Sequence, residues 1–334
     1  MIVIVLIYKM TSFRYTCKRN FGKGDNIVKK IIPIIMAAAI AVLTAGCAAD
    51  SGEENKDGKL SIYTSIYPLE YLAETIGKDH VDVQSIYPPG VDAHTYEPTS
   101  REMTQIARAD LFIYMGAGME GFSESAAEAL KNQKTTLVEI GKDHDLFEHH
   151  EVLEKHEDHK HGDEDPHIWL DPLKMIKMGE RIEESLIKQD PDHKADYEKN
   201  FQSMKSKMQD LDQTFAKTVQ AGKQKSILVS HAAYGYWERY GIQQISISGL
   251  STTDEPSQKD LARIARLAKE KHLNYVIFER NAADHKAELL QKHIHAKPLY
   301  IHNLEVRTDQ DKKQKADYLS LMKENLEVLK KATK

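Results

Sequence analysis

The sequence predicts an α/β protein of two lobes, each with a central, mostly parallel sheet, joined by a long spine helix. Short apolar strands alternate with amphipathic helices between residues 60 and 140, and the alternation returns between residues 226 and 331. Between the two, apolar residues recur at helical spacing: Tyr197, Phe201, Met204, Met208, Leu211 and Phe215. About thirty residues of helix are about 45 Å long, enough to join two lobes.

The first alternation follows a polar tether, residues 48–58, and defines an N-terminal αβ lobe over residues 59–173. Its predicted strands are Leu60–Thr64, Val81–Ile86, Leu111–Met115 and Thr135–Ile140. Pro68 suits the first turn of a helix that ends near Gly77. Ser100 is predicted to cap the next helix, although position 103 holds Met103 rather than the Glu or Gln of a capping box.

A helical connector is predicted over residues 174–222, and a C-terminal αβ lobe over residues 223–334. A helix over 173–188 precedes the longer helix, which is expected to start at Asp190-Pro191 and to end at Gly222. In the C-terminal lobe the predicted strands are Ser226–Ser230, Gln243–Ile247, Asn274–Phe278 and Pro298–Ile301. The predicted helices of this lobe are Tyr234–Tyr240, Ser257–Lys271, Ala282–Lys292 and Lys315–Lys331.

Residues 1–47 are predicted to be a leader with a lipoprotein signal peptide. Two lysines precede a 16-residue apolar and small-residue run, which is short for a membrane span. The run ends in Leu43-Thr44-Ala45-Gly46-Cys47, which resembles a lipobox whose cysteine becomes lipid-modified, with Thr44 where a branched aliphatic residue is usual. An ordinary signal peptide or an uncleaved anchor is the alternative. Residues 1–28 are unusual for such a leader and are left out of the fold prediction.

The charge and cysteine content of the exported part exclude several kinds of function. Residues 48–334 contain 39 Lys and Arg against 50 Asp and Glu, a net charge of −11. Such a body repels nucleic acid, and the sequence indicates no basic patch of the kind that phosphate binding needs. Both cysteines, Cys17 and Cys47, lie in the leader, so the body has no disulfide and no thiolate metal site. Any metal must be bound by His and carboxylate.

A histidine-rich tract over residues 143–165 is predicted to be a flexible loop that attracts metal ions. It has no apolar periodicity and contains ten Asp or Glu. Its histidines, the proposed auxiliary metal ligands, are His144, His149, His150, His156, His159 and His161. A solvated surface loop with incidental histidines is the alternative.

Four residues of metal-ligand type follow predicted strands or turns, where parallel sheets bind their ligands. His94 lies in the loop after the second strand, and His167 lies in DPHIWLDP after the histidine-rich tract. His231 directly follows the strand 226–230, and Glu305 follows the strand 298–301. Two come from each lobe, so they could converge in a cleft. Three imidazoles and a carboxylate would form a closed, near-tetrahedral set suited to Zn²⁺.

Alternatives remain at several of these positions. His94 and His231 could serve only as backbone hydrogen-bond partners. Glu279, at a strand end in VIFERN, could replace Glu305 as the fourth ligand or support the site without binding the ion, and His302 is another rival. The motif His-Glu-x-x-His of many zinc peptidases does not occur, which argues against a metallohydrolase.

The motifs DAHTYEPTS, DPHIWLDP and VSHAAYGYWERYG, in this order after a lipobox, resemble the solute-binding lipoproteins of bacterial zinc and manganese ABC importers, the ZnuA/AdcA-like group. The resemblance covers about residues 58–334. It implies His94, His167 and His231 as ligands and Glu305 as the fourth. Manganese-binding relatives tend to have Glu where His231 stands and Asp where Glu305 stands. The resemblance therefore implies the zinc branch, of which a histidine-rich loop is typical.

This resemblance implies a receptor and not an enzyme. The receptor would bind Zn²⁺ as the transported ligand and deliver it to the permease of an ABC importer. It would be anchored through Cys47 to the outer face of the bacterial cytoplasmic membrane, act as a monomer and bind no nucleic acid. A manganese or iron receptor of the same fold, or a zinc metallohydrolase, is the alternative. Ligating imidazoles must be deprotonated, so zinc affinity should fall below about pH 6.5.

Overall fold

The computed structural model describes residues 58–147, 164–254, 256–280 and 284–334. These residues form two four-stranded sheets with helices, and every strand pair is parallel, which confirms the predicted α/β fold with two sheets. The predicted leader with Cys47, and His149, His150, His156, His159 and His161, lie outside the described residues. No helix within the described ranges combines the length and the apolar character needed to cross a membrane.

The first sheet has the strand order β2-β1-β3-β4. Its strands are β1 (Leu60–Thr64), β2 (Val81–Ser85), β3 (Leu111–Tyr114) and β4 (Thr136–Glu139). The helices of this part are α1 (Tyr67–Gly77), α2 (Ser100–Arg108) and α3 (Ser123–Leu130). Because the strands are parallel, their carboxyl ends meet at one edge of the sheet, and the loop that carries His94 leaves from that edge after β2.

Helix α2 is capped one residue earlier than the sequence suggested. The Thr99 hydroxyl accepts from the Glu102 N–H at 3.3 Å, and a Glu102 carboxylate oxygen accepts from the Thr99 N–H at 2.6 Å. This is a complete capping box with Glu102 as its third helical residue. The prediction of Ser100 as the cap was therefore wrong, and so was the expectation that this helix lacks a capping box.

Two long helices follow the first sheet. They are α4 (Pro172–Gln189) and α5 (Lys194–Ala221), separated by one turn of 3-10 helix at Pro191–His193. Helix α5 has 28 residues, about 42 Å, and the six apolar residues that predicted it are all buried. The Asp171 carboxylate caps α4 by accepting from the Leu173 N–H at 2.8 Å. Helices α4 and α5 pack against each other and against α1.

The second sheet repeats the order of the first, as β6-β5-β7-β8. Its strands are β5 (Ser226–Val229), β6 (Gln243–Ser246), β7 (Tyr275–Glu279) and β8 (Lys297–Ile301). Its helices are α6 (Gln258–Glu270), α7 (His285–His293), α8 (Asp309–Lys313) and α9 (Tyr318–Ala332). The predicted helix at 234–240 is a 3-10 helix, Gly235–Tyr240, and α8 was not predicted.

The two faces of the second sheet pack into different cores. Ile227, Val229 and Ile277 join the main core together with residues of α5 and α9. Leu228, Val276 and Phe278, which alternate with them, form a separate cluster with residues of α6 and α7. Helices α6 and α7 therefore lie on the opposite face of this sheet from α5.

Candidate metal centre

His94, His167, His231 and Glu305 converge in one cluster. Each offers one ligand atom, and the four atoms all lie within 4.8 Å of one another. The Oε1 atom of Glu305 is 3.7 Å from His94 Nε2 and 3.8 Å from His167 Nε2. None of the four side chains is more than 4% exposed. Among the residues that the structure describes, no other set of His, Cys, Asp or Glu satisfies the same distances.

Three atoms of this cluster are buried without a hydrogen-bond partner: His94 Nε2, His167 Nε2 and Glu305 Oε1. A buried polar atom left unpaired costs about 1–3 kcal/mol. The distances above bring all three atoms close together without a hydrogen bond between them. A bound cation would accept all three, which is why this donor set suits a metal ion.

Asp165 fixes the orientation of His167. Its Oδ1 atom accepts hydrogen bonds from the His167 backbone N–H at 3.0 Å and from the ring Nδ1–H at 2.7 Å. The proton is therefore on Nδ1, and Nε2 keeps its lone pair. Burial lowers the pKa of His167 far below its ordinary value, and the neighbouring rings of His231 and His94 lower it further. His167 is a neutral imidazole with Nε2 directed into the cluster.

The segment around His167 is held mainly by the C-terminal half of the chain. Four hydrogen bonds connect them: Tyr236 OH to Asp165 O (2.7 Å), Trp237 Nε1 to Leu170 O (3.0 Å), Trp169 Nε1 to Asn303 O (2.8 Å) and Tyr318 OH to Trp169 O (2.6 Å). Trp169, Trp237, Tyr236 and Tyr318 are fully buried. The sequence placed this segment at the end of the 59–173 lobe, yet these bonds all go to residues beyond 223.

His94 is positioned by a loop that also contacts the second half of the chain. The His94 N–H donates to Asp92 Oδ1 at 2.9 Å, and the Tyr87 hydroxyl donates to the Ala93 carbonyl at 3.0 Å. The other carboxylate oxygen of Asp92 accepts from the Thr252 hydroxyl at 2.8 Å. Asp92 therefore fixes the backbone of His94 and joins this loop to the loop after β6.

His231 has hydrogen bonds at both ring nitrogens. Nδ1 lies 3.0 Å from Glu279 Oε1, and Nε2 lies 2.8 Å from the Leu250 carbonyl. Burial by itself would lower the pKa of His231, but the Glu279 carboxylate outweighs it and raises that pKa to about 10. In turn His231 lowers the pKa of Glu279, against the effect of burial. Competition between proton and metal therefore begins well above pH 6.5, the value expected from an ordinary imidazole.

The geometry favours Glu305 over Glu279 as the carboxylate of the cluster. Glu279 uses both oxygens in hydrogen bonds, Oε1 with His231 and with Tyr234 OH at 3.3 Å, and Oε2 with Asn303 Nδ2 at 3.2 Å. Glu305 Oε1 has no such partner. Of the two roles that the sequence left open for Glu279, these hydrogen bonds favour support of the site over direct binding of an ion.

The third candidate for the fourth ligand, His302, holds the Glu305 loop instead. Its Nδ1 accepts from the Leu304 N–H at 2.8 Å, and its Nε2–H donates to Asp311 Oδ2 at 3.1 Å. Leu304 adopts a left-handed conformation with φ of 64°, which a non-glycine residue keeps only where its surroundings impose it. Burial would raise the pKa of Asp311, but hydrogen bonds from His302 and Thr308 hold that pKa far below its ordinary value.

The sequence analysis did not identify the aspartates that orient the histidines, although a sequence pattern marks two of them, Asp92 and Asp165. In both Asp92-Ala93-His94 and Asp165-Pro166-His167, the aspartate two residues earlier accepts from the histidine N–H. An Asp-x-His pattern before a ligand is thus a readable Asx turn. His144 lies outside the cluster; its side chain is 80% exposed and contacts Glu164 at 2.9 Å.

Comparison with known proteins finds one family. The family model described as zinc-uptake complex component A, periplasmic, matches residues 62–332. The zinc-binding lipoprotein AdcA of Streptococcus pneumoniae (strain ATCC BAA-255 / R6) is 34% identical over 311 residues, which are 91% of this chain and 61% of AdcA. The chain thus spans about three fifths of the length of that relative.

A shorter relative matches over nearly its whole length. The high-affinity zinc uptake system protein ZnuA of Bacillus subtilis (strain 168) is 35% identical over 312 residues, 90% of this chain and 97% of ZnuA. Among solved structures, the Zn(II)-bound ZnuA-like domain of Streptococcus pneumoniae AdcA superposes with a TM-score of 0.68 at 33% identity. That match covers 83% of this chain and 99% of the domain.

Proposed function

Because this chain belongs to the zinc-uptake complex component A family, we propose that it is an extracytoplasmic receptor that binds Zn²⁺ and delivers it to the permease of an ABC importer. The observation that carries the proposal is the buried cluster of three histidines and one glutamate with three unpartnered ligand atoms. The printed names of its relatives, a zinc-binding lipoprotein and a zinc uptake protein, support the same cargo.

In this proposal His94, His167, His231 and Glu305 are the four ligands of the transported ion. At bond lengths near 2.0 Å, tetrahedral zinc holds its ligand atoms about 3.3 Å apart. The distances of 3.7 and 3.8 Å from Glu305 Oε1 to the two imidazoles need to shorten only slightly. His231 would exchange the Leu250 carbonyl for the ion at Nε2 and keep Glu279 at Nδ1, so that the carboxylate orients a metal-bound imidazole.

Zinc suits this ligand set better than manganese or iron does. Three neutral nitrogen ligands favour Zn²⁺, whereas Mn²⁺ is usually bound by carboxylate, carbonyl and water oxygens. A manganese or iron receptor of the same fold therefore remains the second choice, to be decided by metal content. Four protein ligands also close a tetrahedral site and leave no position for a reactive water, so we propose a receptor without catalytic activity.

The remaining parts of the proposal concern capture and location. We propose that the histidine-rich tract raises the local Zn²⁺ concentration through exchangeable contacts. His144, at its start, is highly exposed and pairs only with Glu164 among the described residues. We further propose lipid attachment at Cys47 on the outer face of the cytoplasmic membrane, which the name of the lipoprotein relative supports.

Metal binding by single-site variants tests the proposal. Chelator-competition titrations with Zn²⁺ and Mn²⁺ should give much tighter zinc binding for the parent chain, and His167→Ala should weaken it by more than about 100-fold. The matched control is His272→Ala, which changes an exposed histidine outside the cluster and should bind Zn²⁺ as tightly as the parent chain does. Equal affinity for both metals would refute zinc as the preferred cargo. Unchanged affinity in His167→Ala would refute the site.

A further inference from the structure

The outer layer of the second sheet is basic, in contrast to the rest of the body. Helices α6 and α7, which form this layer, hold six Lys and Arg against three Asp and Glu, a net charge of +3. Residues 48–334 together have a net charge of −11, so the part of them outside these two helices has −14. The net charge of this layer is therefore opposite in sign to the net charge of the rest of the body.

The basic residues of α6 lie on the side away from the core. Lys259, Arg263, Arg266 and Lys269 are three or four residues apart, which places them along one side of the helix. Ile264 and Ala268 are the buried residues of α6 and face the sheet. In the sequence these cations are separated by apolar residues, and the helix brings them together on one side.

Four cations of this layer are exposed and lack a carboxylate within ion-pair distance among the described residues. They are Lys259, Arg266 and Lys269 on α6 and Lys292 on α7. Arg263 differs, because it lies 3.5 Å from Asp260. The charge of the layer is therefore available to a negatively charged partner.

Two large apolar side chains protrude from the same layer. Leu289 on α7 is 66% exposed, and Tyr300 on β8 is 57% exposed. Tyr300 is paired with Phe278 in register, and Phe278 belongs to the core under α6 and α7, so Tyr300 stands on the α6/α7 face. Their rings lie 5.9 Å apart. Only one other large hydrophobic side chain of the described residues, Leu173 at 38%, is exposed.

We propose that this layer, the α6/α7 face, docks the second lobe onto a bilayer rich in anionic phospholipid. Lysine and arginine near an anionic membrane are attracted to its headgroups, and their apolar stems can lie along the interface. A leucine and a tyrosine among cations are the side chains that enter the headgroup region. The proposal depends on the proposed function only for the membrane location.

The form of the face favours a bilayer over a protein loop as its partner. The cations are spread over two helices, and the two apolar side chains project outward from α7 and β8. A broad surface with protruding apolar groups matches a flat interface. A permease loop that bound here is the competing occupant, and the experiment below separates the two.

Depth-dependent quenching on the anchored full-length chain tests the proposal. The chain is reconstituted in nanodiscs of phosphatidylcholine, or of phosphatidylcholine with 30% phosphatidylglycerol, with a bimane label at Leu289→Cys and spin-labelled headgroups. We expect strong quenching only with phosphatidylglycerol, and its loss at 0.5 M salt, where the Debye length is below about 5 Å. The unsubstituted chain, treated with the same label, gives the background.

Charge reversal supplies the second arm. Lys259→Glu with Lys269→Glu and Lys292→Glu should lower the ratio of docked to undocked protein by about 100-fold or more. Lys199→Glu with Lys207→Glu and Lys217→Glu, exposed on α5 across the sheet, is the matched control and should leave quenching unchanged. Equal quenching in both lipids or in both triple variants would overturn the proposal. Quenching that appears only when the permease is co-reconstituted would overturn it in favour of a protein partner. Zinc affinity is measured in parallel, so that failure of the receptor function is seen separately.

Discussion

The Nδ1 atom of His231 lies 3.0 Å from the Glu279 carboxylate, and both side chains are buried. The pair has two consequences. It orients the imidazole so that Nε2 is the atom left for a metal, and it keeps the ring protonated near neutral pH, because the pKa of His231 is raised to about 10. The Glu279 carboxylate thus holds the His231 ring in position for a metal, but it also stabilises the proton that competes with the metal for Nε2.

Zinc binding should release a proton from His231 at neutral pH. The metal needs Nε2 without its proton, and in the metal-free protein that proton is retained up to about pH 10. The apparent affinity should therefore rise about tenfold per pH unit from about pH 7 to 9. Calorimetry in buffers of different ionisation enthalpy should count about one proton released per zinc at pH 7.5. A count of zero would contradict the protonated state of His231.

Glu279 and Glu305 should respond differently to loss of charge. Glu305→Gln removes a proposed ligand and should weaken zinc binding by more than about 100-fold. Glu279→Gln leaves the proposed ligands in place, should weaken binding about 10- to 100-fold, and should reduce the proton release described above. The same chelator-competition titration measures both variants. If Glu279→Gln lost more zinc affinity and Glu305→Gln stayed near the parent value, Glu279 would be the ligand and Glu305 the supporting residue.

Asp165 should matter for zinc affinity although it is not a proposed ligand. Its Oδ1 atom accepts hydrogen bonds from the backbone N–H and from the ring Nδ1–H of His167. Asp165→Asn should therefore let the ring move and let the proton shift from Nδ1 to Nε2. We expect affinity to fall about 10- to 100-fold. Glu164→Gln changes the adjacent acid, whose ion pair among the described residues is with the exposed ring of His144, and serves as the control. Equal effects of the two variants would indicate a general loss of charge and not a loss of orientation.

Acid should remove the contribution of Asp311 to stability. Its carboxylate accepts from His302 Nε2 and from the Thr308 N–H and hydroxyl, and its pKa in the folded state is far below the ordinary value. A depressed carboxyl pKa stabilises the fold above about pH 4, and this contribution is lost as pH falls further. Urea unfolding with chelator present should therefore show Asp311→Asn about 1.5–3 kcal/mol less stable at pH 6. The difference should narrow toward pH 3; a constant difference would contradict the role of the charge.

Much of the fold and the cluster could be predicted from local sequence, and the failures have a common cause. Strand β1 agrees to the residue with its prediction because apolar alternation and flanking polar residues mark both ends. The cluster is brought together as predicted because His94, His231 and Glu305 follow strands of parallel sheets. The choice between Glu305 and Glu279 could not be made from the residues alone, because both end or follow neighbouring strands and only their hydrogen bonds differ.

Contacts between segments that are distant in the sequence could not be predicted from local residue patterns. The attachment of His167 to the second half of the chain depends on Trp169, Trp237 and Tyr318, which read in the sequence only as apolar residues. The basic α6/α7 face likewise emerges only when two helices pack side by side on one face of the second sheet. In both cases single residues were recognisable, but their neighbours in the fold were not, and the partners of the His167 segment lie 67 or more residues away.

A crystal structure of the zinc-loaded protein with anomalous data at the zinc edge tests the central claim most directly. The claim predicts one strong anomalous peak about 2.0 Å from an imidazole nitrogen of His94, His167 and His231 and from a carboxylate oxygen of Glu305. Glu279 should remain on Nδ1 of His231. A strong peak that lies elsewhere, or one that is bound by Glu279 in place of Glu305, would contradict it.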